Sequence, residues 1–323
     1  MKPRRAAALA LLLLGLSAPS VAGENYALVI TGASGGEPYA TKYAGWQQSF
    51  VSTLHAKFGY PDDHVVVMAE KPGPGIRTAT RDEVRRALSD LRRRLGKDDQ
   101  LVVLLIGHGT TADGARTGEE DAKFNLVGPD LRASEWGDLL RPLASRVIFV
   151  DTTAVSFPFL RRLAGPQRVV ITATDSSAQE FETGFGEFFV RAFEDPSADA
   201  DKNGRVSLFE AFTYASAATR AWYEQRGQLP TEHPLIDDDG DGLGHEAWNP
   251  ASDGALARAT FLQPPPVPAD AATAAVAERQ RELESRIEDL KRRRATMPPA
   301  EYDTELERLL LELARLSARD RRP

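Results

Sequence analysis

The most specific short motif in the chain is Asp199-Ala200-Asp201-Lys202-Asn203-Gly204, with Glu210 completing the pattern D-x-[DN]-x-[DN]-G-x5-E at every specified position. Hard oxygens alternating along a tight loop suit calcium. Asp199, Asp201 and Asn203 would supply side-chain oxygens, Arg205 its carbonyl, Ser207 a direct or water-mediated ligand, and Glu210 the closing carboxylate. The competing explanation is a helix N-terminus that favours acidic residues. A second run, Asp237-Asp238-Asp239-Gly240-Asp241-Gly242, repeats the alternation with Asp237, Asp239 and Asp241 but has Trp248 at the closing position, where only Glu246 stands nearby. Both runs lie in the region 195–250. A different chemistry is offered by Gly107-His108-Gly109, an imidazole on a sharp turn, and by the small-residue stretch Asp151-Thr152-Thr153-Ala154-Val155-Ser156.

The elements that must carry these groups follow from periodicity. Apolar, β-rich runs at Tyr26 to Thr31, His64 to Ala69, Gln100 to Ile106, Arg146 to Asp151 and Arg168 to Thr174 alternate with helical patterns. The helices are predicted at Ala44 to Phe58, Arg81 to Leu95, Ser134 to Leu143 with Ser134 as N-cap, Phe185 to Phe193, and Leu208 to Arg226. Such alternation predicts an α/β fold with a mostly parallel sheet, and in open sheets of this kind function gathers at the carboxyl ends of the strands. His108 and the 151–156 stretch both fall at such ends. Thr31-Gly32-Ala33-Ser34-Gly35-Gly36 also does, and imitates a dinucleotide turn, but Glu37-Pro38 places a negative charge where pyrophosphate would lie and delays the helix.

The ordered set Leu104-Leu105-Ile106-Gly107-His108-Gly109, Val147 to Ser156, and Val169 to Thr174 leading into Glu182-Thr183 and an aromatic-rich helix resembles the legumain-like and caspase-like cysteine peptidases. The resemblance covers roughly Asn25 to Phe193. It implies a caspase-like three-layer sandwich in which His108 and Gly109 hold catalytic positions and a cysteine stands at the end of the next strand. That nucleophile would fall on Ala154 if Ser156 matches the motif serine, or on Thr153 if Asp151 matches the acid; in the first register the motif glycine becomes Phe157. The chain contains no cysteine. The resemblance therefore implies a pseudopeptidase with a binding or scaffolding role toward a peptide or an envelope protein. The alternative is a hydrolase using Thr152, Thr153 or Ser156 with His108, oriented by Asp113, Glu119, Glu120 or Asp121; an alcohol needs such a base because it is far less acidic than a thiol.

Composition bounds the rest. Hydrophobic residues are 42% and charged residues 27% of 323, values of a folded globular chain, and a net charge of −7 without a basic stripe argues against nucleic acid as partner. Residues 1–22 read as an export signal: Lys2, Arg4 and Arg5, an apolar run from Ala6 to Leu16, and a small-residue exit at Ser20-Val21-Ala22. Export to a bacterial periplasm or beyond is expected, without a membrane span after cleavage. The main domain is expected over 23–262 and a Pro/Ala-rich linker over 263–274. Residues 275–321 read as a helical hairpin: Val276, Leu283, Ile287 and Leu290 form one seam, Leu306, Leu309, Leu310, Leu313 and Leu316 another, and Met297-Pro298-Pro299 separates them. So thin a pair of seams is expected to dock on the domain, a partner or a second copy, making oligomerisation through these helices an expectation.

Overall fold

The computed structural model describes residues 23–112, 121–264 and most of 270–320. The signal-like segment 1–22 lies outside the described residues, as do 113–120 with Asp113, Glu119 and Glu120, and most of the linker.

Seven strands form one sheet: β1 (Asn25–Thr31), β2 (Val65–Ala69), β3 (Ile76–Thr78), β4 (Gln100–Ile106), β8 (Arg146–Asp151), β9 (Arg168–Thr172) and β10 (Leu235–Asp237). Their order is β10-β9-β8-β4-β1-β2-β3, and every pairing is parallel except the antiparallel β10–β9 edge. A second, three-stranded sheet joins β5 (Gly109–Thr111), β6 (Ala122–Phe124) and β7 (Leu131–Arg132). Because successive strand side chains point to opposite faces, each buried strand feeds two cores. Ala27, Val29, Val102, Leu104, Ile148 and Val150 face the layer of α1 (Tyr39–Ser52), α5 (Phe185–Ala192) and α6 (Leu208–Glu224). Leu28, Ile30, Leu101, Val103, Val147 and Phe149 face the layer of α2 (Arg81–Arg94), α3 (Ala133–Leu140) and α4 (Phe157–Leu163). The expected three-layer sandwich with a mostly parallel sheet is the observed architecture.

The boundaries differ for local reasons. α1 begins at Tyr39, earlier than predicted, and continues into a π-helical turn over Thr53–Lys57 rather than running as one α-helix to Phe58. Ser134 does not cap α3. The N-cap is Arg132, whose N–H bonds the Glu135 carboxylate, while the Ser134 hydroxyl donates to Asp121. The second acidic run starts inside the sheet, since Asp237 ends β10. The outer edge of β10 is closed by the chain itself: Ile236 and His245 exchange both backbone hydrogen bonds. A short helix, α7 (Ala255–Arg258), then returns the chain toward α6.

At the C-terminus, helical residues between 275 and 290 pack against α8 (Pro299–Asp320) as a hairpin. Leu283, Ile287, Leu290, Tyr302 and Leu309 form its small core, with Met297, Leu306, Leu313 and Leu316 packed beside it. Two seam residues differ from expectation. Leu310 is 47% exposed, because it follows Leu309 by one residue and so turns about 100° away from the seam, and Val276 is not part of the cluster. Arg279–Glu312 and Arg286–Glu305 ion pairs link the arms; at the surface such pairs contribute little, about 0–1 kcal/mol each.

Phe149 sits between Trp136 and Phe159, with ring centroids 5.4 and 5.8 Å away, and is 1% exposed. Phe149→Ala should cost about 3–5 kcal/mol in urea unfolding, whereas Leu310→Ala should stay within about 0.5 kcal/mol; equal effects would contradict this packing.

Candidate functional site

The sheet order reverses between β1 and β4: β2 and β3 continue to one side, β8, β9 and β10 to the other. Such a switch point, at the carboxyl ends of β1 and β4, is where open sheets of this kind place a binding site. His108 spans it. Its Nε2–H donates to the Ser34 carbonyl at 2.9 Å, and its ring makes edge contacts with Tyr39 and Tyr43 at 5.0 and 5.4 Å between centroids. With hydrogen on Nε2, the neutral ring leaves Nδ1 as its acceptor.

Gly109 brings the end of β8 against this turn. A Cβ at position 109 would lie 2.1 Å from the Ala154 carbonyl oxygen and 2.5 Å from Thr153 Oγ1, so only glycine permits the approach. His108, Gly109, Thr153 and Ala154 are thus gathered at one place. The hydroxyls are not presented to the imidazole, however. Thr152 Oγ1 donates to Leu105 O at 2.7 Å and Thr153 Oγ1 to Ala154 O at 3.0 Å. Ser156 is fully buried as the N-cap of α4, where its Oγ accepts from the N–H groups of Ala173 and Thr174 and shares a bond with Thr174 Oγ1. These bonds correct the expectation of an available alcohol: the strand end needs the side-chain oxygens to satisfy its own buried backbone. Asp121 does not orient His108 either; it holds Ser134 and its neighbour Ala122.

Beneath the turn, Asp151 is wholly buried. Oδ1 accepts the Thr153 N–H at 2.9 Å, Oδ2 has no partner among the described residues, and burial pushes the carboxyl up to about 7. Sequence reasoning had noted it only as a register mark. The rim is built from two loops joined by side chains. Gln179 accepts the Val155 N–H at its backbone carbonyl and donates to the Thr231 hydroxyl from its side-chain amide. Glu232 accepts the N–H groups of Gly184 and Phe185 at the start of α5, plus the Tyr223 hydroxyl, while burial raises its carboxyl. Glu232 had no local signal, since its partners lie 47 and 48 residues away. On these same loops Phe181 and Leu229 are 72% and 87% exposed.

The glycine-rich turn after β1 is closed to a phosphate. Gly32 N–H bonds Ile106 O, Ala33 N–H bonds Asn125 O, and Ser34 N–H bonds the Glu70 carboxylate.

The two acidic loops share one internal lattice. The first aspartate accepts from the sixth residue's N–H (Asp199 from Gly204, Asp237 from Gly242), the third from the fifth (Asp201 from Asn203, Asp239 from Asp241), and the fifth from the seventh (Asn203 from Arg205, Asp241 from Leu243). Carboxylate oxygens of Asp199, Asp201 and Glu210 lie within 4.8 Å of one another, as do those of Asp237, Asp239 and Asp241. Ser207 and Glu210 also form a reciprocal capping box at the start of α6. Arg205 stacks its guanidinium on Phe261, leaving its carbonyl as its contribution to the loop. Burial, with the neighbouring Glu210 and Asp199 charges, raises the Asp201 carboxyl. Glu246 does not close the second loop; it pairs with Arg220, His233 and the Trp248 indole N–H.

No protein-family model matches the chain, and no curated protein does. Solved structures give resemblances of overall trace: a Geobacter sulfurreducens protein (18% identity, covering 66% of this chain and 92% of that one, TM-score 0.43), the Drosophila initiator caspase Dronc (13%, 70% and 84%, 0.41), and caspase-1 from Spodoptera frugiperda (8%, 67% and 87%, 0.40).

In the unfolded chain Asp151 ionises near 3.8, in the folded one near 7. Between those values the folded state keeps a proton that the unfolded state releases, so this residue costs stability progressively as pH rises from about 4 to 7. Relative to wild type, Asp151→Asn should therefore be more stable at pH 8 than at pH 5 in urea titrations. A pH-independent difference would contradict the assignment.

Proposed function

We propose that this chain is an exported, non-hydrolytic homologue of the legumain-like and caspase-like peptidases that captures a peptide or an envelope protein. One observation carries the reading: Gly109 packs against Thr153 and Ala154 and brings a positioned imidazole to the strand end, yet every hydroxyl there is bound to the strand's own polar groups and no thiol exists. Nucleophilic catalysis needs a nucleophile within hydrogen-bond reach of its base. The loops beside the end of β8 retain what binding needs, the exposed apolar side chains Phe181 and Leu229, with the loops fixed by the Gln179–Thr231 and Glu232–Gly184 bonds. Export rests on the signal-like residues 1–22. None of the helices among the described residues is long and apolar enough to cross a membrane.

Calcium is proposed as a structural ligand of the first acidic loop through Asp199, Asp201, Asn203, the Arg205 carbonyl, Ser207 and Glu210, and of the second through Asp237, Asp239 and Asp241. Their oxygens are hard donors in a pre-turned loop. The ion would neutralise the crowded carboxylates and fix the entry to α6 and the exit from β10.

The protein lacking residues 1–22 should hydrolyse no member of a broad fluorogenic peptide library while retaining some of its peptides in anisotropy measurements, and Phe181→Asp or Leu229→Asp should weaken that binding at least tenfold. Hydrolysis that disappears in His108→Ala would overturn the non-hydrolytic reading. In calorimetry, Asp201→Ala should abolish one calcium-binding event while leaving the other; no heat from the wild type would remove calcium from the account.

A further inference from the structure

A cleft of about 880 Å³ runs between α1 and β2 and reaches Ser34, whose carbonyl holds His108. Its volume is that of a small-molecule site. Val51 of α1, Val65 and Val67 of β2, and Ile76 of β3 supply aliphatic walls. Polar groups lie at both ends: Gln48, Ser52, His55 and Asp62 by the close of α1 and the start of β2, and a second set on the loop between β1 and α1 and at the exit of β2. Glu70 is fixed there: its Oε2 accepts both the Ser34 N–H at 3.1 Å and the Ser34 hydroxyl at 2.5 Å, while Oε1 has no protein hydrogen bond among the described residues. These bonds, the hydroxyl's first, hold the Glu70 carboxyl below the usual carboxylate range. Glu37, from the same loop as Ser34, is oriented by the Thr41 N–H and hydroxyl. Thr31, 95% buried at the end of β1, also lines the cleft, and its Oγ1 has no partner among the described residues.

Two fixed carboxylates and an unsatisfied hydroxyl at the head of an aliphatic slot form an acceptor-rich end with an apolar body behind it. The cationic side chains on the lining do not cancel this. Lys71 is exposed on a flexible stem, and His55 lies on the π-helical turn beyond α1, with Nδ1 donating to Tyr60 O at 2.9 Å. An anionic headgroup would meet Glu70 and Glu37, and a neutral alcohol would leave their charge uncompensated; an ammonium has the donors and the charge both require. We propose that this cleft binds a small primary amine with an apolar body, its ammonium toward Glu70, Glu37 and Thr31 and its tail along Val51, Val65 and Val67. The site meets the His108 turn at Ser34 but does not rest on the peptide-capturing reading.

The test compares n-hexylamine, hexanoate and 1-hexanol by calorimetry on the whole protein. Hexylamine should give saturable binding at least tenfold tighter than either analogue. Glu70→Gln should weaken it at least tenfold, and Val67→Trp, which fills the slot, should abolish it. Ala44→Leu, on the α1 wall, replaces Val67→Trp if that variant fails to unfold cooperatively in urea. Absence of saturable hexylamine binding, equal or tighter binding of hexanoate or 1-hexanol, or affinity unmoved by either the charge-removing or the slot-filling variant would overturn the proposal.

Discussion

The close approach of Gly109 to the Thr153–Ala154 backbone is the constraint on which the site depends. A single methyl at 109 would overlap the Ala154 carbonyl, so the turn after β4 can sit on the end of β8 only while this residue has no side chain. That contact, with the His108–Ser34 hydrogen bond, ties three strand ends together across the point where the sheet order reverses. The switch point is a consequence of topology; the fixed placement of the loops there is a consequence of that contact and that bond.

The same economy of backbone groups explains where the hydroxyls of the strand end point. Carboxyl ends of buried parallel strands leave N–H and C=O groups that water cannot reach, and an unpaired one costs roughly as much as a lost hydrogen bond. Thr152, Ser156, Thr174 and Thr183 meet that need. Thr152 gives its proton to a backbone carbonyl, and Ser156 accepts from backbone N–H groups, so neither faces the imidazole. Asp151, buried with no counter-charge among the described residues, fits the same picture: its carboxyl, pushed up to about 7, is placed for packing and for one N–H bond.

The acidic loops show how a local pattern and its surroundings divide the work. Alternating aspartates form the same turn lattice in both because each carboxylate reaches an N–H two to five residues ahead. Their settings differ. The first loop opens α6 through the Ser207–Glu210 capping box, whereas the second hangs from an edge strand and has lost its twelfth-position carboxylate to Trp248. Asp253 takes over part of the anchoring, accepting the N–H groups of Asp238 and Asp239 while its other oxygen holds His245.

Much of this was legible in the residues themselves. The five apolar runs became strands within two residues of their expected ends, because a buried parallel strand needs a near-continuous apolar stretch; the Asp199 loop, the helices beside it and the hairpin break at Met297-Pro298-Pro299 are likewise local, short-range physics. Tertiary structure alone decided the rest. It paired β10 with β9 and closed its edge with His245, turned Ser134 from a cap into a partner of Asp121, and placed Glu232 under α5 from 48 residues away. It also decided the fate of Thr153 and Ser156. A sequence names a hydroxyl, but whether that hydroxyl serves an imidazole or a backbone carbonyl depends on which strand ends the fold brings within about 3 Å, and that distance is set by long-range packing.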